Sequence, residues 1–208
     1  MEHKGKIVCE FIPNGDDYAL IESDETEIGG FKWSRIINLS SQTNEMIASP
    51  DDAACVEVEG EKLWLSKKLL SFHSPFFHTL FNGDFKEKAT ESYSLKEVNL
   101  HDLLHFLALI NNIDVPIDAL SVPYLIRLGD MYQCELIIRQ CRMFLKTADS
   151  ESMATKEKIW FADRYGFLPL LKTFIEKMPI DKLKEFVQSG DYNNLSDFAR
   201  SLLFERLV

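Results

Sequence analysis

No stretch of this chain approaches the ~18 consecutive apolar residues that a membrane-spanning helix needs. The richest run, Leu103 to Ile110, is far shorter, and no membrane contact is expected. The opening MEHKGKIVCEFIPNGDD lacks the apolar centre of a secretory signal. Cysteine is scarce: Cys9, Cys55, Cys134 and Cys141 form no C-x-x-C pair and no dense framework. They read as free thiols in a reducing compartment, so a cytoplasmic or nuclear location is expected. Positive charge is also short, with 23 Lys and Arg against 33 Asp and Glu, a net charge of −10. An acidic surface repels phosphate backbones, which argues against a nucleic-acid-binding face. Only 9 glycines and 7 prolines occur in 208 residues, too few for collagen or a low-complexity linker. No phosphate-cradling glycine loop, nucleophile elbow or acid pair stands out, so neither an enzyme nor a cofactor is expected.

What is present is an ordinary globular composition with 46% hydrophobic residues. Residues 1–50 read as β, with strands at Lys6–Pro13, Tyr18–Glu22 and Phe31–Leu39. Asn14-Gly15 has the residue types of a two-residue hairpin turn, because both tolerate positive φ. This quarter of the chain holds 9 acidic and 4 basic residues. Gln42 to Asp52 is polar, contains Pro50, and reads as a linker. Val56-Glu57-Val58-Glu59-Gly60-Glu61-Lys62-Leu63-Trp64-Leu65 then alternates apolar with polar on both sides of a turn, which predicts a hairpin with one buried face.

After Ser66 the period becomes helical. Ser74-Pro75 is a helix start, since serine caps free amides and proline suits the first turn. Phe76, Phe77, Leu80 and Phe81 share one face, and Asn82-Gly83 ends the helix. A short strand is expected near 93–98. His101 to Asn111 is apolar nearly all round and reads as a central buried helix. Helices capped at Ser121 and spanning Glu135 to Lys146 follow. Leu128-Gly129-Asp130-Met131-Tyr132 then recurs 33 residues later as Phe161-Ala162-Asp163-Arg164-Tyr165. The repeated unit is a helical hairpin, its small residue permitting close approach. Asp181–Gln188 and Leu195–Leu207 complete the helical pattern. The expected core includes Leu69, Leu70, Phe77, Leu80, Phe106, Leu107, Leu128 and Phe144.

Few residues invite chemistry. His101 and His105 are spaced i, i+4 like the histidines of a zinc helix, but no third ligand is evident, and a structural role is the favoured reading. Cys134 and Cys141 likewise read as small buried side chains. The sequons Asn38-Leu39-Ser40 and Asn194-Leu195-Ser196 read as chance matches. Phe85 is different: it sits in the polar stretch Asn82-Gly83-Asp84-Phe85-Lys86-Glu87-Lys88. A large apolar side chain there either folds back on the core or anchors a partner.

The middle of the chain resembles a BTB (POZ) domain, in ordered segments from about Ala54 to Lys146. The hairpin at 56–65 matches the family's opening strands. Lys67-Lys68-Leu69-Leu70-Ser71-Phe72-His73-Ser74-Pro75-Phe76-Phe77-His78-Thr79-Leu80-Phe81 matches its pattern K-x-L-L-x-x-x-S-x-x-F-x-x-x-F. Leu128 to Tyr132 and Cys141-Arg142-Met143-Phe144-Leu145 match later steps. Two departures stand out: Ala53-Ala54 where the family carries a strand-opening aspartate that shapes its dimer pocket, and Ser66 where it carries histidine. Residues 148–208 resemble the start of a BACK-type helical extension. Gly29-Gly30-Phe31-Lys32-Trp33 faintly resembles part of a MATH domain.

The resemblance implies an α+β fold: a mostly helical BTB domain at 51–147 with a small β-sheet, preceded by a β-rich segment at 1–50 and followed by helical hairpins at 148–208. It implies a protein-interaction module, a cullin-3 ubiquitin-ligase adaptor whose substrate protein is unnamed. A self-associating scaffold or transcription-associated protein is the alternative. Many members form homodimers. The family's hydrophobic-x-Glu contact falls here on Phe85, Lys86 and Glu87, with Phe81 at the end of the preceding helix.

Overall fold

In the computed structural model, the described residues are 5–8, 19–24, 34–83 and 92–208. Two compact units divide the chain, Met1–Cys141 and Arg142–Val208. The break falls inside one continuous helix, six residues before the boundary expected from the sequence at 147.

The first unit begins with an antiparallel sheet of β1 (Gly5–Val8), β2 (Ala19–Asp24) and β3 (Ser34–Asn38). Gly5 pairs with Asp24, and Ala19 with Asn38. The expected turn at Asn14-Gly15 and the motif at Gly29–Trp33 lie outside the described residues.

The stretch read as a linker is built structure. It runs through successive turns into a 3-10 turn at Pro50–Asp52 and buries Asn44 and Asp52. Polar composition misled here because these polar groups are consumed by hydrogen bonds, several of them to residues far along the chain. The Asp52 carboxylate accepts from Ala48 N–H (3.0 Å), Ser66 Oγ (2.9 Å) and Lys68 N–H (2.8 Å). An aspartate therefore does stand immediately before the first strand of the next sheet, at 52. Ala53 and Ala54 open that strand, as the sequence places them.

That sheet has the order β5-β4-β6. β4 (Ala53–Val58) and β5 (Glu61–Ser66) are antiparallel, turning at Glu59-Gly60 where both residues have positive φ. β6 (Ser92–Ser94) joins β4 in parallel, shorter than the expected 93–98. Helices α1 (Lys67–His73) and α2 (Pro75–Asn82) follow β5. Ser66 and Ser74 cap them, accepting from Leu69 N–H and Phe77 N–H, each at 3.1 Å. α3 (Leu100–Ile110) buries seven of its eleven residues, as its all-round apolar sequence requires.

α4 (Val122–Met131) and α5 (Glu135–Thr147) form the first copy of the repeated hairpin. Ser121 does not cap α4 as expected; its hydroxyl accepts instead from Asp118 N–H at 2.8 Å. A Cβ on Gly129 would lie only 3.0 Å from Ile138 Cδ1, which explains a small residue at this step. Leu70, Phe77, Phe106, Leu107 and Leu128 are buried as expected, whereas Leu69, Leu80 and Phe144 are half-buried. Those three lie at the margins of their apolar faces.

The second unit holds α6 (Thr155–Arg164), α7 (Leu168–Lys177), α8 (Ile180–Gln188) and α9 (Asp197–Glu205). The repeat acquires a distinct job here. Asp163 accepts from the Ser196 N–H (2.7 Å) and hydroxyl, fixing the residue that caps α9. Arg206 donates to the Ile175 carbonyl (2.7 Å) and the Glu176 carbonyl at the end of α7. Buried Lys158 donates to the Ala148 carbonyl and to the Asp149 carbonyl (3.0 Å).

Burial raises the Asp52 pKa, but the bonds from Ala48, Lys68 and Ser66 and the Lys68 charge outweigh it and hold the carboxyl below its ordinary value. Its stabilising contribution is thus present above about pH 4 and is lost as pH falls further. Asp52→Ala leaves three donors without their acceptor, and is expected to cost about 2–4 kcal/mol at neutral pH. Urea unfolding of both proteins at pH 7 and pH 3 should show that difference shrinking in acid.

Candidate partner-binding surface

Capping and aromatic packing meet at α2. Ser74 caps α2 and donates its hydroxyl to the Tyr132 carbonyl at the end of α4. The Tyr132 ring packs on Phe77 (4.7 Å between centroids), Phe76 (5.2 Å) and Phe106 (5.6 Å). One serine hydroxyl and one aromatic cluster therefore tie α2 to α3 and α4. Burial pushes the Tyr132 pKa up to about 12, keeping the ring neutral at any physiological pH.

α2 ends where Gly83 N–H donates to the Thr79 carbonyl at 2.8 Å. Phe81, expected beside the partner contact, is only 6% exposed. It stacks on Phe77 at 5.8 Å and meets Tyr93 edge-on at 4.9 Å. Its ring belongs to the core and anchors the end of α2. Phe85, Lys86 and Glu87 lie outside the described residues.

Sequence reasoning missed Phe72, which belongs to the apolar residues of α1 by composition yet is 82% exposed. The signal is its spacing: two residues after buried Leu70, it points to the opposite side of the helix. Phe72 meets His73 edge-on at 5.0 Å, and burial lowers the His73 pKa.

The two histidines of the metal reading take different roles. His105 Nδ1 shares a hydrogen bond with the Tyr124 hydroxyl at 2.7 Å, while His101 is exposed. The His105 pKa is lowered, chiefly by burial and then by the His101 charge. Cys55, Cys134 and Cys141 are buried free thiols, and burial raises Cys141 to about 12. Among the described residues, no group of three or more His, Cys, Asp or Glu could hold a metal. Nor is any helix there long and apolar enough to cross a membrane.

In the second unit, a groove of about 650 Å³ runs between the start of α6 and α8. Ala154, Met178 and Phe186 give it apolar walls, and Lys156, Lys182, Glu185 and Asp191 place both signs of charge on it.

Residues 51–149 match the BTB/POZ domain family. Three relatives come from Caenorhabditis elegans. BTB and MATH domain-containing protein 38 is 27% identical over 152 residues, 73% of this chain and 39% of that protein. BTB and MATH domain-containing protein 45 is 33% identical over 98 residues, 47% of this chain and 21% of that protein. BTB/POZ domain-containing protein Y57A10B.3 is 30% identical over 165 residues, 76% of this chain and 50% of that protein. The chain thus spans between about a fifth and a half of these relatives' lengths. Residues 51–149 are a BTB/POZ domain, and the chain carries a protein-interaction module of that family.

Because Phe81 lies in the core, Phe81→Ala should lower stability by about 3–5 kcal/mol, the usual cost of deleting a buried phenylalanine ring. A thermal melt checks this: an unchanged midpoint would mean that the ring packs on little.

Proposed function

We propose that the chain is a substrate adaptor for a cullin-3 ubiquitin ligase and that it contacts the cullin through Phe85, Lys86 and Glu87. What supports this reading is the BTB/POZ match at residues 51–149, together with the hydrogen bond and ring contacts that anchor α2. A segment that follows a helix fixed by Ser74, Tyr132 and Phe81 starts from a defined point. Its sequence pairs one large apolar side chain with a glutamate two residues on, which suits an apolar pocket beside a hydrogen-bonding rim. The helical hairpin of α6 and α7 supports a BACK-like extension that adds contact area.

Phe85→Ala is expected to cost roughly 2–4 kcal/mol of binding, or about 30- to 1,000-fold, with no change in melting temperature. Glu87→Ala should cost less, because rim contacts are screened by water. Titration against the cullin-3 amino-terminal domain measures both. A lowered melting temperature with unchanged binding would instead assign Phe85 to the core.

A second reading rests on Phe72. Phe72 is 82% exposed on α1, and self-association of the BTB domain through this helix is the alternative. Phe72→Glu should then lower the solution mass of an associating chain to that of the single chain, as measured by light scattering across a concentration series.

A further inference from the structure

In the second unit, the groove between the start of α6 and α8 continues into a smaller hollow of about 180 Å³, walled by Trp160 and Leu195. Lys156, Phe186 and Asp191 line both, so the two hollows join at these three residues. Phe186 is buried and gives the junction an apolar surface. Gly190, at φ 79°, turns the chain out of α8 into the 3-10 turn Asp191–Asn194, which brings Asp191 to the same junction. Trp160 is 39% exposed yet held in place. Phe161 meets its ring edge-on at 5.0 Å, and the Arg164 guanidinium lies 5.7 Å from its centroid.

Five charged residues border this trough, and three of them are occupied. Glu157 accepts from the Ala154 N–H at 3.1 Å, and Lys182 pairs with Glu185 at 2.8 Å. Lys156 and Asp191 are exposed, and among the described residues neither the Lys156 ammonium nor the Asp191 carboxylate has a hydrogen bond or an ion pair. A free cation and a free anion thus stand at one apolar junction. A ligand of a single charge sign meets attraction at one and repulsion at the other, so only a ligand carrying both signs satisfies both. Size adds a second condition. A cavity of about 150 Å³ holds one benzene ring, so the smaller hollow has room for one aromatic side chain. The larger, at about 650 Å³, falls within the roughly 300–1,000 Å³ of pockets that bury most of a small ligand.

We propose that this trough docks a short peptide segment of a partner protein, in which one aromatic residue is flanked by an acidic residue on one side and a basic residue on the other. The ring enters the smaller hollow beside Phe186 and Trp160. The acidic side chain pairs with Lys156 and the basic one with Asp191. Charge complementarity selects this occupant, because the remaining charges on the trough already neutralise one another or bond to backbone. Both new pairs lie at the water-exposed rim, so they fix the order of the peptide more than its affinity, and the buried ring supplies most of the binding. The site goes beyond the cullin reading and does not rest on it.

Fluorescence anisotropy with the full chain and short labelled glycine–serine peptides tests this. Each peptide carries one phenylalanine, with aspartate on one side and lysine on the other, in both orders. Control peptides carry aspartate on both sides, lysine on both, or neither. One order should bind most tightly and saturate below about 1 mM. Lys156→Glu or Asp191→Lys, each a change at an exposed residue, should weaken that peptide about three- to tenfold. The double charge reversal should transfer the preference to the opposite order, an exchange that damage to the fold cannot produce. Trp160→Ala should weaken every peptide by about tenfold or more. Failure of every peptide to saturate would overturn the proposal, as would an order preference that ignores both reversals. So would a rise in mass of the chain alone that the double reversal abolishes while no peptide binds, since that result assigns the trough to a second copy.

Discussion

Helix α2 cannot shift without breaking the bond between the Ser74 hydroxyl and the end of α4. That hydroxyl has two tasks, accepting the Phe77 amide at the start of its own helix and donating to the Tyr132 carbonyl. The rings of Phe76, Phe77, Phe106 and Tyr132 close around it. The local rule for starting a helix and the long-range rule for packing three helices are thus met by one side chain. Its consequence reaches function: whatever follows α2 starts from a position set by the core.

The sheet imposes a second constraint. Three strands leave two edges, and an uncovered edge invites unwanted pairing. The chain meets this with residues that look like a linker, through Asn44 at the Trp64 carbonyl and Asp52 at the start of α1. The N-terminal segment is thereby joined by hydrogen bonds to the BTB domain. Ala53 opens β4, and the Asp52 carboxylate one residue before it ties Ala48, Ser66 and Lys68 together.

Much of the fold was legible in residue order. The hairpin at 53–66, the Ser-Pro helix start, the buried α3 and the 33-residue helical repeat all follow from periodicity and capping, which act over a few residues. What was not legible depends on partners distant in sequence. The fate of Phe81 turned on Tyr93, that of Asn44 on Trp64, and that of Asp163 on Ser196. Phe72 was a nearer miss, because its angle from Leu70 around α1 already set it apart. Of the candidate contact, only its attachment to α2 could be followed into the structure.

The interaction-module account rests on the BTB/POZ domain at residues 51–149. Its most direct test is the solution mass of the chain, alone and mixed with the cullin-3 amino-terminal domain, by size-exclusion chromatography with light scattering. The account predicts a new species whose mass is the sum of both components at micromolar concentrations. Two unchanged peaks at every concentration tried would contradict it.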